Sequence, residues 1–219
     1  MSNILVIGAH PDDEVLGLGG TLIKYSRKHS KIFALIFADG ESARGNEKEI
    51  KKRQEQGRKA ASVLGLTEIK FLGYKDQLLD DVPTLELVQQ IEKSIRLWKP
   101  EIIFTHFWGD VNQDHRKLFE ATLIAARATP YSKINQIICY ETPSSTEWGN
   151  ENFKPNLFVR VDNVLQKKIK ALMQYEKEIE DYPHPRSIES ITNRMKYWGS
   201  VVGINYAEAF VKIREIVKS

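Results

Sequence analysis

Two short stretches concentrate ionisable side chains in spacings that could do chemistry. The first is Gly8-Ala9-His10-Pro11-Asp12-Asp13-Glu14, directly after the apolar run Ile4-Leu5-Val6-Ile7. His10 and Asp13 are three residues apart, so a single turn can aim both at one point, with Asp12 directed elsewhere on that turn. An imidazole and a carboxylate converging in this way suit a divalent metal ion, with Asp12 free to do chemistry beside it. The plainer alternative is a helix N-cap, with Asp12 or Asp13 bonding the first turn and His10 a loop residue. A cap explains one aspartate but not a histidine and two adjacent aspartates together. The second stretch is His106-Phe107-Trp108-Gly109-Asp110-Val111-Asn112-Gln113-Asp114-His115-Arg116. Taken alone, its Asp114-His115 pair reads as a capped helix start with a surface histidine.

Both stretches follow segments that read as buried strands. Strands are expected at Asn3–Ala9, Lys31–Ala38, Glu68–Leu72, Glu101–Thr105, Gln136–Tyr140 and Leu157–Val161. Helices are expected at about Val15–Arg27, Glu47–Leu64, Pro83–Trp98, Asp114–Arg127 and Val164–Ile179, with Gly65 capping the second. A last helical region carries Trp198 and runs to Tyr206-Ala207-Glu208-Ala209-Phe210. The segment Gly73 to Val82, with Asp76, Asp80 and Asp81, reads as a surface loop. Alternating strands and helices imply an α/β fold: a Rossmann-like, doubly wound, mainly parallel sheet with helices on both faces. Right-handed crossovers then bring both ionisable stretches to one edge of the sheet, where such folds bind ligands. Gly17-Leu18-Gly19-Gly20 lies inside the first helix. Phosphate-cradling glycines belong at the strand–helix turn, so these are assigned to close packing.

The 219 residues, 42% hydrophobic and 28% charged, describe a single domain spanning 1–219 with a substantial core. A net charge of +3, with one local run at Lys51-Lys52-Arg53, gives no nucleic-acid-binding face. The one cysteine, Cys139, excludes an internal disulfide or a thiolate zinc cluster. No apolar segment approaches the length of a membrane span, and the expectation is a cytoplasmic protein without membrane contact. Homo-oligomerisation is left open.

Ala-His-Pro-Asp-Asp-Glu at the end of a first strand resembles the signature of the LmbE/PIG-L family of metal-dependent N-deacetylases, which mostly act on N-acetylglucosaminyl compounds. The resemblance extends through Arg53-Gln54-Glu55, Ala60 to Gly65 and Phe153-Lys154-Pro155-Asn156 to Tyr206–Phe210. It implies a metal site of His10, Asp13 and His115, holding zinc or another divalent metal, with Asp12 as general base. The expected activity is zinc-dependent hydrolysis of an N-acetyl amide on a sugar or small sugar conjugate. Alternatives are an amidase on another small N-acyl compound, such as a thiol conjugate, or a non-catalytic binding protein. The family carries an arginine near the substrate at the position of Arg53. Many members read His-Pro-Asp-His where this chain has Asn112-Gln113-Asp114-His115, and Asn112 cannot carry charge. His106 at the correct sheet edge, or His184 beside Arg186 between two prolines, is the candidate for the missing donor. Trp108 and Trp148 are candidate sugar platforms, with packing the alternative for each.

Overall fold

Strand β1 (Asn3–Gly8) has no polar side chain after Asn3 and lies at the centre of the sheet. The structure, a computed structural model, describes residues 2–129 and 132–217. β2 (Lys31–Ala38) and β4 (Ile102–His106) flank β1, so that Ile4 lies opposite both Ile32 and Ile102. β3 (Glu68–Tyr74) lies outside β2, and β5 (Gln136–Tyr140) lies outside β4. These five strands are parallel, in the order β3-β2-β1-β4-β5. The chain winds outward on one side of β1 and then crosses to the other. The loops after β1 and β4 therefore splay apart at a switch point, where doubly wound sheets open a crevice.

Side chains alternate between two cores, as strands covered on both faces require. Ile4 and Val6 join a core formed with α1 (Asp13–Arg27), α2 (Ile50–Leu64), α5 (Leu165–Leu172) and α6 (Ile188–Val201). Leu5 and Ile7 join the opposite core, under α3 (Thr84–Trp98) and α4 (Gln113–Ala125). Gly65 ends α2 in the left-handed conformation, φ 82°, as expected of a glycine at that position.

Helix α1 is broken at Leu18, whose φ is −144°. A β-carbon on Gly17 would lie 2.3 Å from the Tyr140 ring, and one on Gly20 2.8 Å from Val161. The glycines thus serve packing. The free N–H groups that open the second half-helix, Gly20 and Thr21, donate to the Glu208 carboxylate at 2.8 and 2.7 Å. Lys168 Nζ bonds the same carboxylate at 2.7 Å and the Leu16 carbonyl at 2.9 Å. A buried ion pair therefore caps both sides of the break.

Three expectations need correction. Tyr206–Phe210 does not close a helix: α6 stops at Val201, and Ala207–Glu215 forms strand β7. β7 runs antiparallel to β5 and to β6 (Leu157–Arg160), occupying the place between them. Gly203, at φ 73°, turns the chain out of the helix, and Phe210 and Val211 bury in the sheet. The helix expected over Val164–Ile179 is only α5, between 3-10 turns at Asp162–Val164 and Glu176–Glu178. It ends early because Tyr175 turns inward, donating to Glu14 Oε1 at 2.6 Å. The loop after β3 is not wholly superficial, since Asp76 is buried.

Candidate metal centre and active site

The turn from β1 into α1 is folded back on itself. The His10 N–H donates to Asp13 Oδ2 at 2.7 Å, which turns the Asp13 carboxylate inward. Asp12, at the N-cap position, makes no side-chain cap and adopts φ 133°, a conformation that non-glycine residues rarely hold. Such backbone strain costs on the order of 1–3 kcal/mol and persists where the surroundings enforce it. Here it points Asp12 away from its own helix. The first turn of α4 is capped by Asn112, whose Oδ1 accepts from the Asp114 N–H at 2.9 Å. That cap leaves Asp114 and His115 free to point into the crevice.

His10 Nδ1 lies 3.3 Å from His115 Nε2 and 3.6 Å from Asp13 Oδ2, and His115 Nε2 lies 3.6 Å from Asp13 Oδ1. Metal–ligand bonds of about 2.0–2.1 Å in tetrahedral geometry separate neighbouring ligands by roughly 3.3–3.5 Å. Asp13 Oδ1 is buried without a hydrogen-bond partner, and the two imidazole nitrogens face each other. Each ring is held from behind by carboxylates. His10 Nε2 is 3.0 Å from Asp76 and 3.2 Å from Asp114, and His115 Nδ1 is 3.1 Å from Asp110. Carboxylates in that position fix the tautomer and leave the inner nitrogens as lone-pair donors. The three residues therefore fit a divalent ion by donor type, spacing and orphaned oxygen. His10, Asp76 and Asp114 form a second grouping of ligand-type atoms. Both of its carboxylates crowd the outer nitrogen of His10, which suits positioning better than ligation.

Burial alone would depress the His10 pKa, but its hydrogen bonds to the Asp114, Asp13 and Asp76 carboxylates carry it well above the usual imidazole range. Burial opposes ionisation of Asp13, yet the His115 imidazole and the hydrogen bond from His10 hold its carboxyl well below the ordinary value. Asp110 is brought to about 2, because bonds from His115, Ser145 and Thr146 outweigh burial. The cluster is thus rich in carboxylates that stay ionised around imidazoles, an arrangement that attracts cations.

Asp12 lies beside this trio and is gripped on one side only. Arg53 Nη2 and Arg186 Nη1 both donate to its Oδ2, at 3.0 and 3.1 Å, while Oδ1 is buried without a partner. Burial raises the Asp12 pKa, with the two arginines opposing. Behind the arginines is Glu178, 2.6 Å from Arg53, 2.8 Å from Arg186 and 2.7 Å from Arg44. The space in front of Asp12 and His10 is an inner chamber of about 60 Å³. It opens toward a trough of about 380 Å³ bordered by His115, Asn112 and Trp148.

Residues 5–126 match the family described as PIG-L, GlcNAc-PI de-N-acetylase, and so span more than half of the chain. The chain belongs to the PIG-L family. An uncharacterized deacetylase of Escherichia coli K12, YaiS, is 32% identical over 181 residues, 79% of this chain and 90% of that protein. The diacetylchitobiose deacetylase of Thermococcus kodakarensis is 26% identical over 227 residues, covering 95% and 82% of the two chains. In fold, the conserved protein TT1542 of Thermus thermophilus superposes with a TM-score of 0.81 at 24% identity, covering 100% of this chain and 98% of that one. The coarse activity that accompanies membership of the PIG-L family is hydrolytic deacetylation. No helix among the described residues is long and apolar enough to cross a membrane.

Of the residues singled out in the sequence, His10, Asp12, Asp13, His115, Arg53, Asn112 and Arg186 converge on the crevice of this PIG-L chain. His106 lies behind the trio, fully buried, its ring stacked on His115 at 3.8 Å. Its Nε2 accepts the Ala9 N–H at 2.9 Å, and burial together with the His115 charge lowers its pKa to about 4. It is a neutral buttress with no surface to offer a substrate. His184 bonds its own turn, accepting the Arg186 N–H at 3.1 Å, and it is Arg186 that enters the chamber. Sequence reading missed Asp76, Asp110 and Glu178. Asp110 carried a signal, four residues before Asp114 in a loop at the correct edge. Glu178 carried none, because its surroundings read as a helix end.

Proposed function

We propose that this chain, as one domain over 1–219, is a metal-dependent N-deacetylase of an N-acetylated sugar or small sugar conjugate. His10, Asp13 and His115 would hold the ion, zinc or another divalent metal, and Asp12 would act as the base. The observation that carries the reading is the asymmetry of Asp12: two arginines on Oδ2 and a bare Oδ1 beside the ligand trio. An ion bound there would acidify water toward a pKa of about 7 and polarise the amide carbonyl. Asp12 Oδ1 takes the proton of the attacking water, its carboxyl group kept basic by burial and kept oriented by Arg53 and Arg186. The same carboxyl group then returns the proton to the departing amine, since Asn112 cannot act as an acid and His106 is enclosed. Asn112 and Gln77, which border both chambers, are the polar groups placed to meet the amide.

Diacetylchitobiose, the substrate named for one relative, is the first compound to assay, by acetate release. Purified protein is expected to hold about one divalent ion per chain, as a single three-ligand site requires. Removal of the ion by a chelator should abolish turnover and zinc should restore it. Full turnover by metal-free protein would refute the assignment.

A further inference from the structure

We propose that Trp148 is the platform on which the sugar ring of the substrate lies, and so a specificity-determining residue; this rests on the deacetylase reading above. The chain has four tryptophans. Trp98 stacks on Phe33 at 4.9 Å, and the Trp198 indole donates to Glu141 at 2.6 Å. Trp108 packs against Phe107 at 4.3 Å and Phe119 at 5.6 Å, and its indole N–H donates to Glu151. Trp148 is 57% exposed and has neither a ring contact nor an indole hydrogen bond among the described residues.

An exposed tryptophan on a floppy loop would mean little, but this one is held in place. It ends a 3-10 turn, Thr146–Trp148. Thr146 Oγ1 donates to Asp110 Oδ2 at 2.6 Å and accepts the Thr142 N–H at 2.8 Å, and Ser145 Oγ donates to Asp110 Oδ1. Glu147 accepts the N–H groups of Ser144 and Ser145 at 3.0 and 3.1 Å and is bonded by Arg194 at 2.9 Å. A β-carbon on Gly149 would lie 1.7 Å from the Gly109 carbonyl oxygen, so the two loops are in backbone contact. Asp110, which anchors the turn, is also the carboxylate behind His115. Trp148 is therefore set at a fixed distance from the ligand trio.

The trough it borders supplies what a pyranose needs. A sugar ring presents a C–H face and a rim of hydroxyl groups. The trough combines one bare indole with Gln77, Asn112, Ser144 and Arg186, all hydrogen-bonding side chains. An aromatic face stabilises such a ring at low entropic cost because the indole has only two rotatable bonds.

The test compares kcat/KM for acetate release from diacetylchitobiose with that from ring-less N-acetylethanolamine. Trp148→Ala should lower the ratio about tenfold, through KM of the sugar, as a stacking contribution of this kind implies. Trp148→Tyr should recover most of the loss. Trp108→Phe, a packing change, should alter the ratio less than about twofold. An unchanged ratio in Trp148→Ala, with wild-type protein active on the sugar, overturns the platform alone. Wild-type protein that hydrolyses only the ring-less amide overturns the sugar reading and the platform with it.

Discussion

Replacing Glu178 with Gln should test whether one carboxylate holds the arginine clamp on Asp12. Glu178 is only 4% exposed, accepts hydrogen bonds from Arg44 and Arg186, and forms an ion pair with Arg53. The substitution preserves shape but turns an amide toward guanidinium groups. Breaking a buried pair by removing one partner costs about 3–5 kcal/mol. Asp12 remains as a second anion for Arg53 and Arg186, so the lower end, about 3 kcal/mol, is expected. The pKa supports a similar size: burial opposes ionisation, but the bond from Arg44 and the charges of Arg53, Arg44 and Arg186 bring Glu178 from 4.5 to about 2. That fall corresponds to about 3 kcal/mol. For a chain of this length Tm should drop by roughly 6–12 °C. Because the folded-state pKa is lowered, the contribution is complete above about 4.5 and is lost as pH falls from there toward about 2. Urea unfolding of both proteins between pH 7 and pH 3 measures it. The gap should be constant near neutrality and narrow in acid. A gap under about 1 kcal/mol at pH 7, or one that does not narrow, would refute the argument.

Asp12→Asn should retain the metal while losing about 10²–10⁴-fold in kcat, the usual worth of a general base; loss of metal in this variant would make Asp12 a ligand instead. His115→Ala should lose metal affinity first, read by metal content after dialysis. Glu208→Gln should destabilise the chain by about 3–5 kcal/mol, because it removes one partner of a buried ion pair. Combining it with Lys168→Met should recover much of that loss, and a double variant no more stable than Glu208→Gln would show that the helix break depends on the pair itself.

The parallel half of the sheet was legible because β1, β2 and β4 are short apolar runs with strong boundaries, and Pro100 and Gly65 punctuate the helices between them. The end of the chain was not. Tyr206 to Phe210 alternates weakly, and its strand character comes from pairing with β5 and β6, partners distant in sequence. His10 and Asp13 were legible as a candidate site because they share one turn, whereas His115 joined them only through the family resemblance, since its own surroundings read as a capped helix start. The supporting carboxylates were hidden, since Asp76 reaches His10 across 66 positions and Glu178 reaches Arg53 across 125. Only the folded sheet brings such pairs together.

The capped break in α1 has a consequence for the order in which the molecule becomes competent during synthesis. The turn carrying His10, Asp12 and Asp13 leaves the ribosome among the first residues. The helix that holds this turn is secured by Lys168 and Glu208, and the arginine clamp on Asp12 needs Glu178 and Arg186. Domains fold as units once their parts are available. Two of the three proposed ligands, His10 and Asp13, are thus among the first groups made, and the centre among the last completed. A nascent chain halted before Glu208 should bind metal poorly and release no acetate, even though all three proposed ligands and the proposed base have already been synthesised.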